Sequence, residues 1–91
     1  MTTKDLIQAV KEGTAKDSLA ILYTFADFFD LTDPYGIQEY YGDYSKKSVK
    51  LKVVEEILFE LENEPSVLLE RLEFDLNETG NYDFETNSYI N

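Results

Sequence analysis

Cysteine, histidine and tryptophan are absent from this sequence of 91 residues, and the first two absences exclude whole classes of site. Without cysteine there is neither a disulfide nor a thiolate metal ligand, which indicates a reducing, cytoplasmic compartment. Without histidine, the commonest general base and the imidazole metal ligand are missing. Phosphate-binding loops, the dinucleotide fingerprint and basic aromatic nucleic-acid motifs are missing as well. We therefore expect a protein without enzymatic activity and without a cofactor.

Basic residues are scarce, since 8 Lys and Arg stand against 19 Asp and Glu, for a net charge of -11. Residues 17–45 contain no base, and Arg71 is the only base in 53–91. The intervening segment holds a cluster of four lysines, which are Lys46, Lys47, Lys50 and Lys52. A chain with this charge is repelled by nucleic acid and by anionic membranes, and it attracts basic proteins, including those that bind DNA.

Long apolar runs are also lacking, so we expect neither a signal peptide nor a membrane-spanning segment. The apolar content is nevertheless 43%, with six Phe and seven Tyr, which is enough to build one hydrophobic core. We expect a single acidic domain over 1–91. The patterns described below predict the α+β class, mostly helical, with about four or five helices and a C-terminal β-hairpin.

Two helix-start signals lie near the beginning of the chain. Thr2 and Asp5 resemble a capping box and predict a short helix over 3–12. Thr14 with Asp17 repeats the signal and predicts the start of a second helix. Because that second helix is apolar on almost every side, we expect it to be the central helix of the core or part of an intersubunit surface.

Three further helices are predicted in the middle of the chain. Pro34 suits the first position of a third helix over 34–41. Residues 46–63 fit a fourth helix; the alternation within 46–54 also fits a strand, but the helical pattern is longer and is favoured. A fifth helix is predicted over 65–71 or beyond.

After the fifth helix the apolar period changes to two. Phe74 and Leu76 precede an Asn/Gly turn around Gly80, and Tyr82 and Phe84 follow it. Acidic side chains alternate with these residues, at Glu73, Asp75, Asp83 and Glu85. The pattern predicts a β-hairpin with an apolar inner face and an acidic outer face.

The same segment, 75–86, resembles a calcium-binding EF-hand loop. Oxygen-bearing side chains stand at its first, third, fifth and ninth positions with glycine at the sixth, namely Asp75, Asn77, Thr79, Asp83 and Gly80. The twelfth position requires a bidentate glutamate and is occupied by Thr86. We therefore favour a turn without metal, and weak calcium binding by 75–86 stays open.

Regularly spaced carboxylates predict an acidic surface that imitates DNA. On a helix, Glu56, Glu60 and Glu64 form one stripe at about 6 Å per step. Like charges held at such spacing are destabilising, so their presence favours a functional role. The carboxylates expected to act as phosphate surrogates are Asp27, Asp30, Asp33, Glu39, Asp43, Glu56, Glu60, Glu64, Glu70, Glu73, Asp75, Glu78, Asp83 and Glu85.

Four tyrosines lie among the acidic residues of the segment PYGIQEYYGDY. Rigid aromatic side chains surrounded by carboxylates are typical of an interface that both anchors and steers a partner. Packing against a small core would account for the tyrosines equally well. The candidate anchors are Tyr35, Tyr40, Tyr41 and Tyr44.

In size, acidity and lack of histidine and cysteine, the chain resembles the DNA-mimic anti-restriction proteins of phages, in particular the Arn type of T-even phages. The opening MTTKDLIQAV and the acidic stretches EEILFELENE and LERLEFDLNE carry the resemblance. It implies a homodimeric, noncatalytic inhibitor in the host cytoplasm. Its implied target is the DNA-binding site of a restriction endonuclease specific for modified cytosine.

A second group, the colicin-nuclease immunity proteins, resembles the chain through Tyr40 and Tyr41. These immunity proteins are small acidic helical inhibitors with a Tyr-Tyr pair on a short third helix, whereas the acidic hairpin predicted here departs from their four-helix plan. Immunity-type inhibition of a nuclease is therefore the alternative to DNA mimicry. A calcium-binding module is the third possibility.

Overall fold

The computed structural model describes residues 1–90, which form five α-helices followed by a two-stranded antiparallel hairpin. The helices are α1 (Thr3–Glu12), α2 (Leu19–Thr32), α3 (Pro34–Tyr40), α4 (Lys47–Asn63) and α5 (Pro65–Thr79). The strands are β1 (Asn81–Asp83) and β2 (Ser88–Ile90), and a 3₁₀ turn, Ala15–Asp17, connects α1 to α2. The mostly helical α+β class predicted from the sequence is confirmed.

The capping box predicted for α1 is present. The hydroxyl of Thr2 accepts a hydrogen bond from the Asp5 amide at 3.3 Å, and the Asp5 carboxylate accepts one from the Thr2 amide at 2.9 Å. At the other end, Gly13 adopts φ 75°, a left-handed conformation that suits glycine. These interactions satisfy backbone groups that would otherwise be left unpaired at the two helix ends.

The start signal assigned to α2 was wrong. The side chain of Thr14 makes no cap hydrogen bond to the turn that follows. Its hydroxyl and its backbone amide both donate to Ala9 O, at 3.4 and 3.0 Å, and so complete the end of α1. Ser18 caps α2 instead, and its hydroxyl accepts from the Ile21 amide at 3.3 Å. The helix then buries Phe25 and Phe28 almost completely, which makes it a central element of the core.

The third and fourth helices follow the sequence closely. Asp33 caps α3 by accepting a hydrogen bond from the Gly36 amide at 3.0 Å, and α3 ends one residue earlier than predicted. A side chain at Gly36 would collide with that cap carboxylate. Residues 47–54 are helical, so the strand alternative for this part of the chain is wrong.

The structure contains a C-terminal hairpin as predicted, but the prediction that its first strand includes Phe74 and Leu76 was wrong. Residues 71–79 continue α5, with Leu68 and Leu72 buried on one side of the helix, while Phe74 is 64% exposed. The two buried leucines are four residues apart, which places them on one face of a helix. Side chains on one face of a strand would be two residues apart. Gly80 ends α5, and the hairpin pairs Asn81–Asp83 with Ser88–Ile90.

The faces predicted for the hairpin change accordingly. Glu73 and Asp75 are on α5, not on the outer face of a strand, and Phe74 is not on an inner apolar face. Tyr82 is buried, and its ring lies edge-on to the Phe84 ring with the centroids 4.9 Å apart. The apolar contacts of the hairpin therefore come from residues after Gly80.

Three hydrogen bonds attach the hairpin to the beginning of the chain. The Tyr82 amide donates to the hydroxyl of Thr3 at 3.0 Å, within a buried environment. The other two run from the Phe84 amide to Met1 O at 2.9 Å and from the Lys4 amide to Asn81 Oδ1 at 3.0 Å. The strand β1 is thereby held against α1. Phe84, which directly follows β1, packs on α2, where the Phe28 and Phe84 ring centroids lie 5.6 Å apart.

Candidate functional site

The carboxylates proposed as phosphate surrogates, here called the acidic surface, are mostly exposed. Ten of the fourteen are exposed, and the four half-buried ones are Asp30, Glu60, Asp75 and Asp83. The structure distributes them over α2, α3, α4, α5 and the hairpin instead of gathering them in one pocket. The chain measures 32 × 27 × 20 Å along its principal axes, so these charges are spread over a body 32 Å long.

Few of these carboxylates have a cation beside them. Between residues 1 and 90 the structure contains three ion pairs, from Asp27 to Lys50 at 2.9 Å, from Glu73 to Lys11 at 3.9 Å and from Glu85 to the terminal amine at 3.6 Å. The Asp27 pair is the tightest of the three. Most of the negative charge therefore faces solvent without an internal counter-charge.

The glutamate stripe predicted on α4 exists. Glu56, Glu60 and the capping residue Glu64 follow one another at four-residue spacing. Burial raises the pKa of Glu60, with the neighbouring Glu56 and Glu64 charges adding to the rise and Arg71 opposing it. The three carboxylates therefore interact as like charges, as the helical spacing predicted.

Arg71 lies close to this stripe and was missed in the sequence. Its guanidinium is 3.9 Å from the centroid of the Phe29 ring, a cation–π contact. A small cavity of about 60 Å³ is lined by Arg71, Glu60, Tyr41 and neighbouring residues. The isolated position of Arg71 in an acidic segment was a possible signal, but its aromatic contact depends on how α5 packs.

The four candidate tyrosine anchors fall into two pairs. Tyr35 and Tyr40 on α3 are 86% and 79% exposed, so both rings are accessible to a partner. Tyr41 is half-buried, and burial followed by the Glu56 and Glu60 charges raises the pKa of its hydroxyl. Tyr44 is also half-buried and contacts Asp27, so it serves the fold in this structure.

A polar network around Asp27 joins α2 to α4. Asp27 Oδ1 accepts a hydrogen bond of 2.6 Å from the Tyr44 hydroxyl and lies 2.9 Å from Lys50 Nζ. Lys50 Nζ also lies 5.2 Å from the Tyr23 ring centroid and 5.6 Å from that of Tyr44. Burial, the hydrogen bond to Asp27 and nearby negative charge all raise the pKa of the Tyr44 hydroxyl. Lys50 is thus a structural cation, which the sequence presented only as one member of a lysine cluster.

Beside this network, an open cleft of about 430 Å³ lies between α2 and the hairpin. Its lining combines carboxylates with aromatic and aliphatic side chains, from Thr24, Asp27, Asp30, Leu31, Tyr82, Phe84 and Asn87. Burial raises the pKa of Asp30, the Asp27 charge raises it further and Lys50 opposes the rise. Both aspartates were predicted as phosphate surrogates, but their position opposite the hairpin depends on the tertiary fold.

Two other members of the acidic surface have local structural roles. The carboxylate of Asp43 accepts hydrogen bonds from the hydroxyl and the amide of Ser45 at 2.8 and 3.0 Å, and these bonds hold the pKa of Asp43 below its ordinary value. Asp83 Oδ1 accepts from the Glu85 amide at 2.9 Å in the hairpin turn. Both carboxylates order a turn of the chain.

The calcium-like segment does not have the conformation of a calcium loop. Asp75, Asn77 and Thr79 lie within α5, where the hydroxyl of Thr79 donates to Asp75 O at 2.7 Å. Asp75 is half-buried with Oδ2 shielded from solvent, and burial raises the pKa of this carboxyl while Arg71 opposes the rise. No grouping of three or more potential acidic, histidine or cysteine ligands occurs in the part of the chain that the structure describes.

Comparisons with known proteins give no family for this chain. It matches no protein-family model, and neither the curated proteins nor the solved structures contain a significant match. Within residues 1–90, no helix combines the length and the apolar character needed to cross a membrane.

Proposed function

We propose that the chain is a noncatalytic inhibitor that occupies the DNA-binding site of a basic protein by presenting DNA-like negative charge. The proposal is supported by one observation about the fourteen surrogate carboxylates. Ten of them are exposed, and residues 1–90 contain only three ion pairs that could neutralise them. Unneutralised charge raises the potential at the surface and accelerates encounter with an oppositely charged partner. It also destabilises the folded chain, which favours a functional reason for keeping it.

The size of the molecule agrees with this proposal. Duplex DNA carries one charge per ~1.7 Å of axis, so a length equal to the 32 Å axis of this chain carries roughly 19 charges, about half of them on one face. The net charge of -11 is of the same order. A homodimer, which the resemblance to anti-restriction proteins implies, would extend the imitation along the groove of the target.

A restriction endonuclease specific for modified cytosine is the target class that we propose. The support is the compositional resemblance to the phage anti-restriction proteins together with the charge distribution described above. Such an enzyme binds DNA through a positively charged surface, which the acidic surface would complement. Occupying that surface blocks cleavage without any chemistry by the inhibitor.

Immunity-type inhibition of a nuclease is the second candidate, and the exposed rings of Tyr35 and Tyr40 favour it. Tyrosines in an interface become hot spots when the partner desolvates them, and binding through them depends less on salt than binding through charge. The third candidate, a calcium-binding module, loses support because Asp75, Asn77 and Thr79 are helical. Those three side chains cannot then converge in the manner of an EF-hand loop.

Affinity capture tests the proposed function. The immobilised chain is exposed to host extract at low salt, and bound proteins are eluted first with duplex DNA and then with high salt. We expect a DNA-binding protein in the DNA eluate, and we expect the purified chain to inhibit DNA binding by that protein. Retention of proteins that neither DNA nor salt displaces would favour the immunity-type alternative.

Charge variants make this test specific to the proposed surface. Glu56→Gln and Glu64→Gln together remove the two exposed charges of the α4 stripe. A control variant removes the same charge from exposed positions that lie outside the acidic surface and outside α4, through Glu12→Gln and Asp17→Asn. Because local potential falls off within about 10 Å at ordinary salt, the stripe variant should lose more affinity than the control. Equal losses would exclude the stripe as a contact.

A further inference from the structure

The cleft between α2 and the hairpin has the size of a ligand site. Its volume of about 430 Å³ lies within the ~300–1,000 Å³ range of clefts that bind small groups. Its walls come from distant parts of the chain, Asp30 and Leu31 on α2 and Tyr82 and Phe84 from the hairpin region. The cleft therefore depends on the tertiary fold and is not a local cluster of acids.

The two carboxylates of the cleft differ in their neutralisation. Asp27 has Lys50 at 2.9 Å and the Tyr44 hydroxyl at 2.6 Å, so its charge is largely compensated. Asp30 follows three residues later on the same helix, is half-buried, and forms no ion pair with any residue in 1–90. The cleft therefore carries one excess negative charge at Asp30.

Aromatic and aliphatic groups surround that charge. Phe84 packs edge-on against Tyr82 and against Phe28, with ring centroids 4.9 and 5.6 Å apart, so the aromatic wall is held from two sides. Leu31, 46% exposed, supplies an apolar part of the lining that a bound group can cover. A carboxylate beside aromatic walls is suited to a cation with a flat, weakly hydrated surface.

We propose that this cleft receives an arginine side chain of the protein partner. A guanidinium can pair with Asp30 while its plane packs against the aromatic wall, and the arginine stem can cover Leu31. A lysine ammonium is more strongly hydrated and offers no planar surface, so arginine is preferred. The proposal deepens the proposed function by specifying what a basic partner inserts, and its premise of a basic partner rests on that function.

The proposal is testable without the partner, by NMR titration of the folded chain with Nα-acetyl-arginine amide, whose guanidinium is its only charge. We expect shift changes concentrated at Leu31, Tyr82 and Phe84. The citrulline counterpart, similar in shape and uncharged, should produce none at the same concentration, and the lysine counterpart should bind more weakly.

Asp30→Asn should weaken arginine binding roughly fivefold, the size expected for a partly exposed ion pair. Asp17→Asn is the matched control, because Asp17 lies two residues before α2 begins. Asp30 is near the other end of that helix, about 20 Å from Asp17 by the helical rise. Leu31→Lys, which supplies a cation from the chain itself, should also abolish the shifts. Unchanged dispersion of the amide spectrum verifies that each variant is folded.

Shift changes spread evenly over the acidic surface, equal binding of the lysine compound, or undiminished binding by Asp30→Asn would each overturn the assignment. The NMR titration contains neither DNA nor the protein partner, so its outcome does not depend on DNA mimicry. If arginine occupies the cleft and duplex DNA does not compete with the captured partner, the arginine site stands and the mimicry fails. If arginine does not bind in the cleft but duplex DNA competes with the captured partner, the arginine site is rejected and DNA mimicry stands.

Discussion

The hydroxyl of Tyr44 donates a hydrogen bond of 2.6 Å to Asp27, and this bond ties the segment between α3 and α4 to α2. The same carboxylate oxygen lies 2.9 Å from Lys50 Nζ, so one acceptor holds two elements in place. Tyr44 therefore differs from Tyr35 and Tyr40, whose rings are exposed to solvent. The candidate tyrosine anchors are thus divided into Tyr44, which helps to maintain the fold, and Tyr35 and Tyr40, which are exposed to solvent.

Tyr44→Phe should destabilise the fold by about 1 kcal/mol, because it removes a hydrogen bond to a partly exposed carboxylate. Urea unfolding monitored by circular dichroism measures this change. Tyr35→Phe is the control, since Tyr35 is 86% exposed, and its effect should stay within ~0.5 kcal/mol. Equal stability of the Tyr44 variant and the wild type would show that the bond contributes nothing to the fold.

Leu72→Ala should cost about 2–5 kcal/mol, because Leu72 is 0% exposed and its truncation leaves a cavity where α5 packs on the core. Phe74→Ala should change stability by less than ~0.5 kcal/mol. Chemical unfolding of the two variants measures the difference. The reverse order would indicate that Phe74 faces the core, as the strand prediction required.

The prediction for residues 72–76 shows what limits the sequence. Leu72, Phe74 and Leu76 alternate as in a strand, whereas Leu68, Leu72 and Leu76 have helical spacing, and both patterns use the same leucines. Packing of α5 against α1 resolves the ambiguity, and that contact is not visible in a local pattern. The cap of α1 was predictable because its interactions are local.

Thr3→Val should destabilise the chain by about 1–3 kcal/mol, because the buried Tyr82 amide loses its acceptor while the shape of the side chain is kept. Thr3→Ser keeps the hydroxyl and is the matched control for the hydrogen bond. Hydrogen exchange at the Tyr82 amide should accelerate in the valine variant. Unaltered protection of that amide would contradict the proposed attachment of the hairpin to α1.

The fold should become more stable as the pH falls from neutral toward the ordinary carboxyl pKa values of 3.8 and 4.5. Burial raises the pKa of Asp30, Glu60 and Asp75, so their ionised forms oppose folding at neutral pH and protonation removes that cost. Asp43 has the opposite sign, because its lowered pKa contributes stability that is lost only as the pH falls below the ordinary value of 3.8. Stability should therefore be greatest in mildly acidic solution.

Thermal unfolding at a series of pH values measures this profile. Added salt should raise the midpoint at neutral pH more than at about pH 4, because it screens the repulsion among carboxylates that are ionised at neutral pH and largely protonated at about pH 4. A midpoint that falls steadily as the pH is lowered from neutral to the ordinary glutamate value of 4.5 would contradict the raised pKa values of Asp30, Glu60 and Asp75.

The sequence predicts those features of the candidate site that depend on residue type and local spacing. A Glu56–Glu60–Glu64 stripe follows from helical spacing, and Glu56 and Glu64 are exposed. Glu60 is half-buried beside Arg71, which depends on how α5 packs against α4. The aromatic cleft and the neutralisation of Asp27 by Lys50 depend on how α2 meets α4 and the hairpin. Those relationships join residues far apart in the sequence, where no spacing rule applies.

The affinity of the chain for its captured partner, measured across a range of salt concentrations with and without duplex DNA, tests the central claim most directly. Imitation of DNA predicts that affinity falls steeply, on the order of a thousandfold between about 50 and 200 mM salt if six or more phosphate-like contacts are made. It also predicts that duplex DNA competes for the same site. Affinity that changes with neither salt nor DNA would contradict the account.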